Sequence, residues 1–380
     1  MQVGKVPAAL PALQADLGLT LVQSGWVVAI FNLLAACIAI FLGTVSDRYG
    51  HVLVALCGMV ITAVCGLSAG FSTTGTALLS LRALEGFGFL LTVASIPPLI
   101  LRAASPTHRK PALAMWGMYM PVGSGLMLAL SGPILMLADW RILWWITSGL
   151  ILAMTLPVWL VATRLPNPPD RTLSRPGFAQ TLRPALRRGP VLLGAIFMVY
   201  AASYLSLAGF LPLMLIEQDG MAPWSAALVS AIAVLCNGVG NGASGWLHNR
   251  GLTFGRLVIS GSIGMALTGV VAFIPDAGAA LRIAAACLFG LAGGLVPSSI
   301  FAEAPRHASN PVFLGTISGA VVQGAALGQL GGPPLTAALV DGAGSWSAAI
   351  PVMVICPALA IWFALLVPGP GKATKTPKAA

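Results

Sequence analysis

The sequence predicts an all-α membrane protein built from two bundles of six helices. Three observations indicate this class: an apolar composition, a series of apolar runs of membrane-spanning length, and a weak internal repeat. Apolar residues make up 57% of the chain and charged residues 8%, and the mean hydropathy is +0.91. Soluble domains carry roughly 25% charged residues, so this composition excludes a water-soluble fold.

Eleven apolar runs are long enough for a bilayer-spanning helix, which needs about 20 mostly apolar residues. They lie near 21–43, 52–71, 75–101, 111–137, 140–163, 190–215, 223–247, 255–275, 280–302, 311–338 and 346–367. The runs are rich in Gly and Pro, which membrane helices tolerate because neighbouring helices satisfy the freed backbone groups. The alternating segments of about ten residues that build a membrane β-barrel do not recur.

The first 19 residues predict a twelfth helix that is shorter than a complete span. The residues before Asp16 correspond to about 22 Å of helix, whereas a crossing needs roughly 30 Å. A signal peptide is not expected, because the segment has no n-region and no cleavage site. We therefore expect a first helix whose N-terminal half is missing from the sequence.

The positions of Lys and Arg predict the orientation. If the loop after residue 43 is cytoplasmic, 16 of the 20 Lys and Arg lie on that side. The positive-inside rule then predicts a multi-pass protein of a bacterial-type inner (plasma) membrane, with the central linker and the C-terminus in the cytoplasm. Loops that face anionic lipid explain the net charge of +10, so no nucleic-acid partner is expected.

Six cysteines lie within the spans, and none of them forms a CxxC pair. Small apolar packing residues are their expected role, with a metal or redox site as the alternative. No metal site and no cofactor are therefore predicted.

A polar segment divides the chain near its middle. Residues 164–189 carry six arginines against one aspartate and read as a cytoplasmic linker with one surface helix. We expect one bundle at 1–163, a second at 190–367 and a cytoplasmic tail at 368–380.

Short motifs recur between the two halves. "GTVSDRYG" at 43–50 recurs as "GWLHNRG" at 245–251, and Gly86 corresponds to Gly290. The Gly132–Pro133 pair recurs as Gly332–Pro333. Offsets of 200 to 204 in chain order indicate an internal duplication. Two halves related by an axis along the membrane normal are typical of one large class of transporters.

Two motifs resemble those of the major facilitator superfamily. The segment from Gly43 through Asp47 and Arg48 to Gly50 resembles its signature loop, and "LSLRALEGFG" at 79–88 resembles the Arg-x-x-Gln-Gly motif of its fourth helix. Glu85 stands where that motif usually has glutamine. The resemblance covers nearly the whole chain and implies twelve helices around a central cavity.

The same resemblance implies a cytoplasmic gate at Gly43, Asp47, Arg48 and Gly50. Its counterparts in the second half are Asn249 and Arg250, with Asn249 in place of the usual aspartate. A carboxylate at position 47 can face the partial positive charge at the N-terminus of helix 11, near Pro311. The alternative is a loop that sets topology and has no gating role.

Ionisable residues inside membrane spans are functional candidates by default, and the sequence offers Lys5, Arg82 and Glu85. Counted along their helices, they lie at depths of about 16, 10 and 15 Å. The resemblance places helices 1 and 4 at the central cavity. We therefore predict an anion-binding site of Lys5 and Arg82, with Glu85 coupling transport to protons. The alternatives are a structural Arg82–Glu85 pair and a lysine that extends toward the membrane surface.

Polar residues near the midplane extend the predicted substrate site. They are Asn32, Tyr119, Tyr200, Tyr204 and Gln323. Tyr200 and Tyr204 stand at i,i+4 on one helix and form the best pair. For each residue the alternative is an interhelical hydrogen bond.

Together these features predict a secondary active transporter that works by alternating access. The expected partners are a small organic or inorganic anion, protons and the lipid bilayer, and the expected state is a monomer. "GKVPAALP" at 4–11 resembles the cyanate and small-anion permease branch. A proton-driven efflux transporter for drugs or metabolites is the alternative. An intramembrane enzyme is not expected, because HExxH, GxGD and a buried Ser/His set are absent. No Walker loop indicates an ATP-driven pump, and no selectivity filter indicates a channel.

Overall fold

A computed structural model describes residues 1–105, 108, 119–164, 178–275, 277–307 and 314–368 of the chain. In this part of the chain every regular element is helical. The first half contains α1 (Lys5–Leu17), α2 (Leu21–Ala29), a 3-10 turn (Ile30–Asn32), α3 (Leu33–Tyr49), α4 (His51–Ala69), α5 (Gly75–Ala103), α6 (Tyr119–Leu137) and α7 (Arg141–Thr163).

A short linker helix, α8 (Phe178–Ala185), leads into the second half. That half contains α9 (Arg188–Asp219), α10 (Pro223–Asn249), α11 (Phe254–Phe273), α12 (Ala279–Glu303), a 3-10 turn (Ala304–His307), α13 (Leu314–Ala343), a 3-10 turn (Trp346–Ala349) and α14 (Ile350–Leu366). The end of the bundles where α9 begins is called the linker end below. The tail beyond residue 368 lies outside the described residues, and the predicted domain boundaries stay a prediction.

Ten of the described helices have the length and hydropathy of a membrane span. The eleventh expected span, α13, is 30 residues long but is not among the ten, since it carries Gln323, Gln329 and several glycines. Helix α1 has 13 residues, shorter than a span. Whether its N-terminal half is missing stays a prediction.

Local signals explain several helix boundaries. Thr20 and Gln23 form a capping box that starts α2, and Thr74 caps α5 by accepting a hydrogen bond from Ala77 N. Pro223 opens α10 at its first position, where a missing N–H costs nothing. The chain therefore turns at the places where the apolar runs end.

The internal repeat is visible in the backbone. Gly50 and Gly251 follow α3 and α10 with φ values of 91° and 89°, a left-handed region that glycine adopts without strain. Gly86 and Gly290 mark tight crossings in each half. A Cβ atom would overlap Phe31 O at the first position and a main-chain oxygen of α10 at the second.

A third repeated feature lies at the end opposite the linker. Trp140 Nε1 donates to Asp16 Oδ2 at 3.1 Å, and Trp346 Nε1 donates to Glu217 Oε2 at 2.9 Å. Each pair joins the last helical segments of a half to its first helix. The two halves therefore use the same side-chain chemistry at the same place.

The two bundles meet along matching helix pairs. Helices α2 and α3 pack against α13, and α6 packs against α10, while α1 contacts α9 near the middle. In the repeat, α3 corresponds to α10 and α6 corresponds to α13. The α3–α13 pairing of one half is therefore the counterpart of the α10–α6 pairing of the other. This arrangement is the twelve-helix, two-bundle fold that the sequence predicts.

Candidate substrate site

The structure brings Lys5, Arg82 and Glu85 together in the first half. Lys5 Nζ lies 2.7 Å from Glu85 Oε1, and Arg82 Nη1 lies 2.7 Å from Glu85 Oε2. Each cation therefore takes one oxygen of the shared carboxylate. All three side chains are fully enclosed, with exposures of 0%, 1% and 0% for Lys5, Arg82 and Glu85. We call these three residues the charge cluster.

The helices explain this geometry. Arg82 and Glu85 are separated by three residues on α5, a spacing that puts them on one helix face. Gly66 on α4 leaves room beside the carboxylate, because a Cβ there would lie 3.2 Å from Glu85 Oε1 and would overlap Ser148 Oγ. A larger residue would push against both groups.

Residues that the sequence reasoning missed complete the cluster. Lys5 Nζ also donates to Gln2 Oε1 and to Thr147 Oγ1 on α7, the latter at 3.2 Å. Its three N–H donors thus all have acceptors. Aromatic rings cover both cations: Lys5 Nζ lies 4.6 Å from the Trp144 ring and Arg82 Cζ lies 4.5 Å from the Phe31 ring. The sequence contained one signal for this neighbour, since Thr147 is a polar residue in an otherwise apolar run.

The charge cluster is not electrically balanced. Two cations and one carboxylate leave a net charge of +1 when all three are ionised. A buried charge without a full counter-charge is costly. Several donors near it also have no hydrogen-bond partner among the described residues, namely Arg82 Nε, Gln2 Nε2, Trp144 Nε1 and Ser148 Oγ. Protonation of Glu85 would raise the net charge to +2 and free both cations for charge-assisted hydrogen bonds to an anion.

A further buried cation lies in the first turn of α12. Arg282 on α12 has an exposure of 0% and pairs with Asp219 at 2.7 Å. Its guanidinium also donates to Ala272 O and Pro275 O. Asp219 balances the charge and the two main-chain oxygens accept from the remaining donors, which explains why the guanidinium is tolerated there.

Tyr200 and Tyr204 belong to a stack of rings in the second half. Their ring centroids are 5.7 Å apart at an interplanar angle of 14°, and Tyr204 lies 6.4 Å from Phe289 at 8°. Asn237 Nδ2 donates to the Tyr200 hydroxyl at 3.0 Å. The Tyr200 hydroxyl therefore makes the interhelical hydrogen bond that was the alternative to substrate contact.

A small cavity lies beside this stack, between α9, α10 and α12. Its free volume is about 10 Å³, close to the minimum that holds one water molecule. Tyr204, Leu207, Ala208, Leu211, Ser230, Ala233, Val234, Ala286, Phe289 and Gly290 line it. The Ser230 hydroxyl donates to Ala226 O within its own helix. We call this space the apolar cavity.

The remaining substrate candidates lie in different surroundings. Asn32 ends the 3-10 turn, and its Nδ2 lies 3.5 Å from Ala29 O. The Tyr119 ring packs against Phe89 with centroids 6.3 Å apart. Neither residue lies in the charge cluster or lines the apolar cavity.

Gln323 on α13 bridges the two halves. Its Nε2 donates to Ala36 O at 2.9 Å, and its Oε1 accepts from Ile40 N at 3.3 Å. Ala36 and Ile40 are four residues apart on α3, so these two groups are the partners of one helical hydrogen bond. The Gln323 amide thus contacts a peptide hydrogen bond of the other half, and we call this contact the Gln323 bridge.

The predicted gate lies at the end of α3 and of α10. Helix α3 continues to Tyr49, so the segment expected as a loop after residue 43 is helical. The side chains of residues 42–48, including Asp47 and Arg48, lie outside the described residues, as does Pro311. Asn249 ends α10, and the Arg250 guanidinium lies 3.8 Å from the Trp246 ring. The gate role stays a prediction.

Comparisons with known proteins point to one family. The family model described as "Major Facilitator Superfamily" matches residues 1–323. A hexuronate transporter of Bacillus subtilis (strain 168) is 25% identical over 364 residues, which are 90% of this chain and 84% of that protein. The multidrug efflux pump LfrA of Mycolicibacterium smegmatis is 27% identical over 35% of this chain and 26% of its own length.

Solved structures share the fold. A mutant of the nucleoside transporter NupG aligns with a TM-score of 0.72 at 15% identity, over 96% of this chain and 94% of that chain. A bacterial homologue of the human lysosomal transporter Spinster, in an inward-facing and occupied conformation, aligns with a TM-score of 0.73 at 16% identity over the same shares.

Proposed function

The chain belongs to the major facilitator superfamily, and from that membership we propose that it carries a small anion across the membrane by alternating access, coupled to protons. The fold and the relatives make it a transporter of this superfamily. The anionic substrate and the proton coupling are the proposal. The single observation that carries them is the position of the Glu85 carboxylate between two buried cations.

The charge cluster links proton and anion binding. With Glu85 ionised, the carboxylate occupies both cations and leaves little attraction for a second anion. A proton on Glu85 removes that competitor, and Lys5 and Arg82 then present two positive charges to a substrate. Proton and anion would thus favour each other's binding, which is the reciprocal linkage that a symporter needs.

The orientation follows from the charged loops. We place the linker end and the C-terminus in the cytoplasm of an inner membrane, because the polar segments at that end carry most of the Lys and Arg. A monomer is sufficient for this mechanism, since both halves of the site lie in one chain. The relative named as a hexuronate transporter, which matches over most of its length, supports an anionic substrate.

Efflux of lipophilic compounds is the second candidate. The observation that favours it is the apolar cavity with its ring stack, and the relatives include a multidrug efflux pump. An exporter of this kind would move uncharged or cationic lipophilic dyes and would not need Lys5. The same vesicles therefore test both candidates when dye efflux is measured beside anion uptake.

The proposed coupling predicts the behaviour of Glu85→Gln. In proteoliposomes this variant should lose accumulation of a carboxylate driven by a pH gradient, yet keep exchange driven by a carboxylate gradient alone. The reason is that a glutamine leaves the cations available but cannot take up a proton. Asp341→Asn is the matched control, because Asp341 is an exposed carboxylate outside the charge cluster, at the end of the molecule opposite the linker. Proton-driven accumulation that survives in Glu85→Gln would refute the coupling role.

A further inference from the structure

Two cysteines of the second half meet inside the membrane. Cys236 stands at the middle of α10 and Cys287 lies on α12, and their thiols share a side-chain hydrogen bond. Both residues are free cysteines and half-buried. The charge cluster and the proposed transport of an anion use neither of them. We call these two residues the thiol pair.

The register of α10 on α12 explains why the thiols meet. A Cβ at Gly240 would overlap Leu291 O, and the Ser244 hydroxyl donates to Leu295 O at 3.3 Å. Both contacts join residues that are 51 positions apart in the chain, and the members of the thiol pair have the same separation. A constant separation means that the two helices run parallel. Contacts that repeat at every fourth residue follow one ridge of a helix, so the thiol pair is the next step of this series.

Hydrogen bonds hold the two helices in this register. Asn237, next to Cys236 in the chain, donates from Nδ2 to Gly290 O at 3.2 Å. One turn further along, Ser298 Oγ donates to Asn241 Oδ1 at 2.8 Å. The two sulfur atoms are therefore held close together before any ligand arrives, and such preorganisation lowers the cost of binding.

The thiol pair lies at the lipid-facing edge of the interface. Val239 on α10 is 63% exposed and Leu291 on α12 is 38% exposed. With 3.6 residues per turn, Cys236 lies about 60° around α10 from Val239, and Cys287 about 40° around α12 from Leu291. A compound that dissolves in the bilayer can reach both thiols from this side. A charged reagent in water is kept away by the hydrocarbon.

We propose that the thiol pair is a binding site for neutral, lipid-soluble thiophiles that take two sulfur ligands, namely trivalent organoarsenicals. Sulfur is a soft ligand and prefers soft partners. In an arsine oxide the arsenic condenses with both thiols: two As–S bonds form, the bonds from arsenic to oxygen break, and the oxygen leaves as water with the two thiol protons. Arsenic stays trivalent, so the step needs no oxidant or reductant.

The presence of two thiols at one place gives the site its selectivity. Once the first As–S bond has formed, the second thiol acts at a high effective concentration, so a pair holds arsenic more tightly than a single thiol does. Cys356 is a half-buried cysteine of the same half, on α14. It is therefore the matched single-thiol control.

Phenylarsine oxide is the probe, and intact-protein mass spectrometry is the readout. We expect the purified protein to retain one phenylarsenic group per chain after a wash with 2-mercaptoethanol, and to lose it to 2,3-dimercaptopropanol. Cys236→Ser and Cys287→Ser should each retain about tenfold less after the first wash, because the remaining thiol forms only one As–S bond. Cys356→Ser should retain as much as the unchanged protein.

The route of access is tested in proteoliposomes. Treatment with a charged methanethiosulfonate before the probe should leave retention of the phenylarsenic group unchanged. A loss of retention would show that water reaches the thiol pair, and it would overturn the restriction to lipid-soluble compounds.

Peptide mapping of the labelled, unchanged protein needs no variant. It should find the phenylarsenic group on the peptides that contain Cys236 and Cys287. The proposal is overturned if the group maps to other cysteines, if the protein retains none, or if either serine variant retains as much as the unchanged protein. Since the readout is binding and not transport, each of these results leaves the proposed function standing.

Discussion

Thr147 shows how much the charge cluster depends on a neutral neighbour. Its Oγ1 accepts a hydrogen bond from Lys5 Nζ and donates to Leu143 O within α7. The residue thus positions the ammonium without carrying charge. Inside a closed bundle, a donor that loses its acceptor cannot turn to water for another one. The position of the cation therefore depends on α7 as well as on Glu85.

Thr147→Val should weaken this arrangement. The valine keeps the shape but leaves one Lys5 N–H without an acceptor, at a cost of about 1–3 kcal/mol. We expect a lower midpoint of thermal unfolding in detergent and a higher KM for the carboxylate. Thr155→Val is the control, because the Thr155 hydroxyl bonds to Ile151 O of its own helix. Identical unfolding midpoints and KM values for the two variants would contradict a positioning role for Thr147.

At the scale of elements, α3 and α13 hold the halves together through main-chain contacts. Beside the Gln323 bridge, Gly319 approaches α3 so closely that a Cβ would lie 3.1 Å from Ile40 Cα. The bridge is neutral and joins a side chain to a peptide group. Its strength therefore does not depend on pH, in contrast to a gate built from Asp47.

Gln323→Leu should favour the conformation that is open at the linker end. It removes hydrogen bonds worth about 0.5–1.5 kcal/mol each, enough for a several-fold change in population. The readout is the distance between spin labels on cysteines introduced by Leu53→Cys and Arg256→Cys, two exposed positions at the linker end in different halves, after replacement of the six native cysteines. Longer distances should gain population with Gln323→Leu and stay unchanged with Gln329→Leu on the same helix. An unchanged distance distribution with Gln323→Leu would mean that the bridge does not hold the halves.

Local rules were sufficient to predict the helices and the similar level of Lys5 and Glu85 in the bundle, which are in contact, because hydropathy and helical rise depend on sequence neighbours alone. They also predicted the repeat, which the turns at Gly50 and Gly251 now show in the backbone. They did not give the partners of Arg282 and Gln323, which include main-chain oxygens of other segments. A peptide carbonyl has no signature in the sequence, so contacts of this kind emerge only from the packed structure.

At the scale of the whole molecule, the matched helix pairs predict that transport requires the halves to separate. Opening toward the linker end has to separate α3 from α13. At the opposite end of the molecule, the same motion separates α6 from α10 by a smaller distance or keeps them in contact. The Trp140–Asp16 and Trp346–Glu217 pairs lie within single halves. They are therefore free to persist while the halves move as units.

Label distances test this motion directly. Between labels on Leu53→Cys and Arg256→Cys, which lie in different halves, we expect the distance distribution to change when the carboxylate is added at acidic pH. Between labels on Leu53→Cys and Leu126→Cys, which lie in the same half, the distribution should stay unchanged. An unchanged distribution between the halves during active transport would show that they need not separate at the linker end.

The Gln323 bridge also bears on how this protein can evolve. Its partner is a peptide group that every residue type except proline supplies in full, so these hydrogen bonds depend on the side chain of Gln323 and not on the side chains at 36 and 40. Selection for the bridge itself then acts on one side of the interface only. Among homologues, we expect no pairwise covariation between position 323 and positions 36 and 40, even though the two halves are in close contact there.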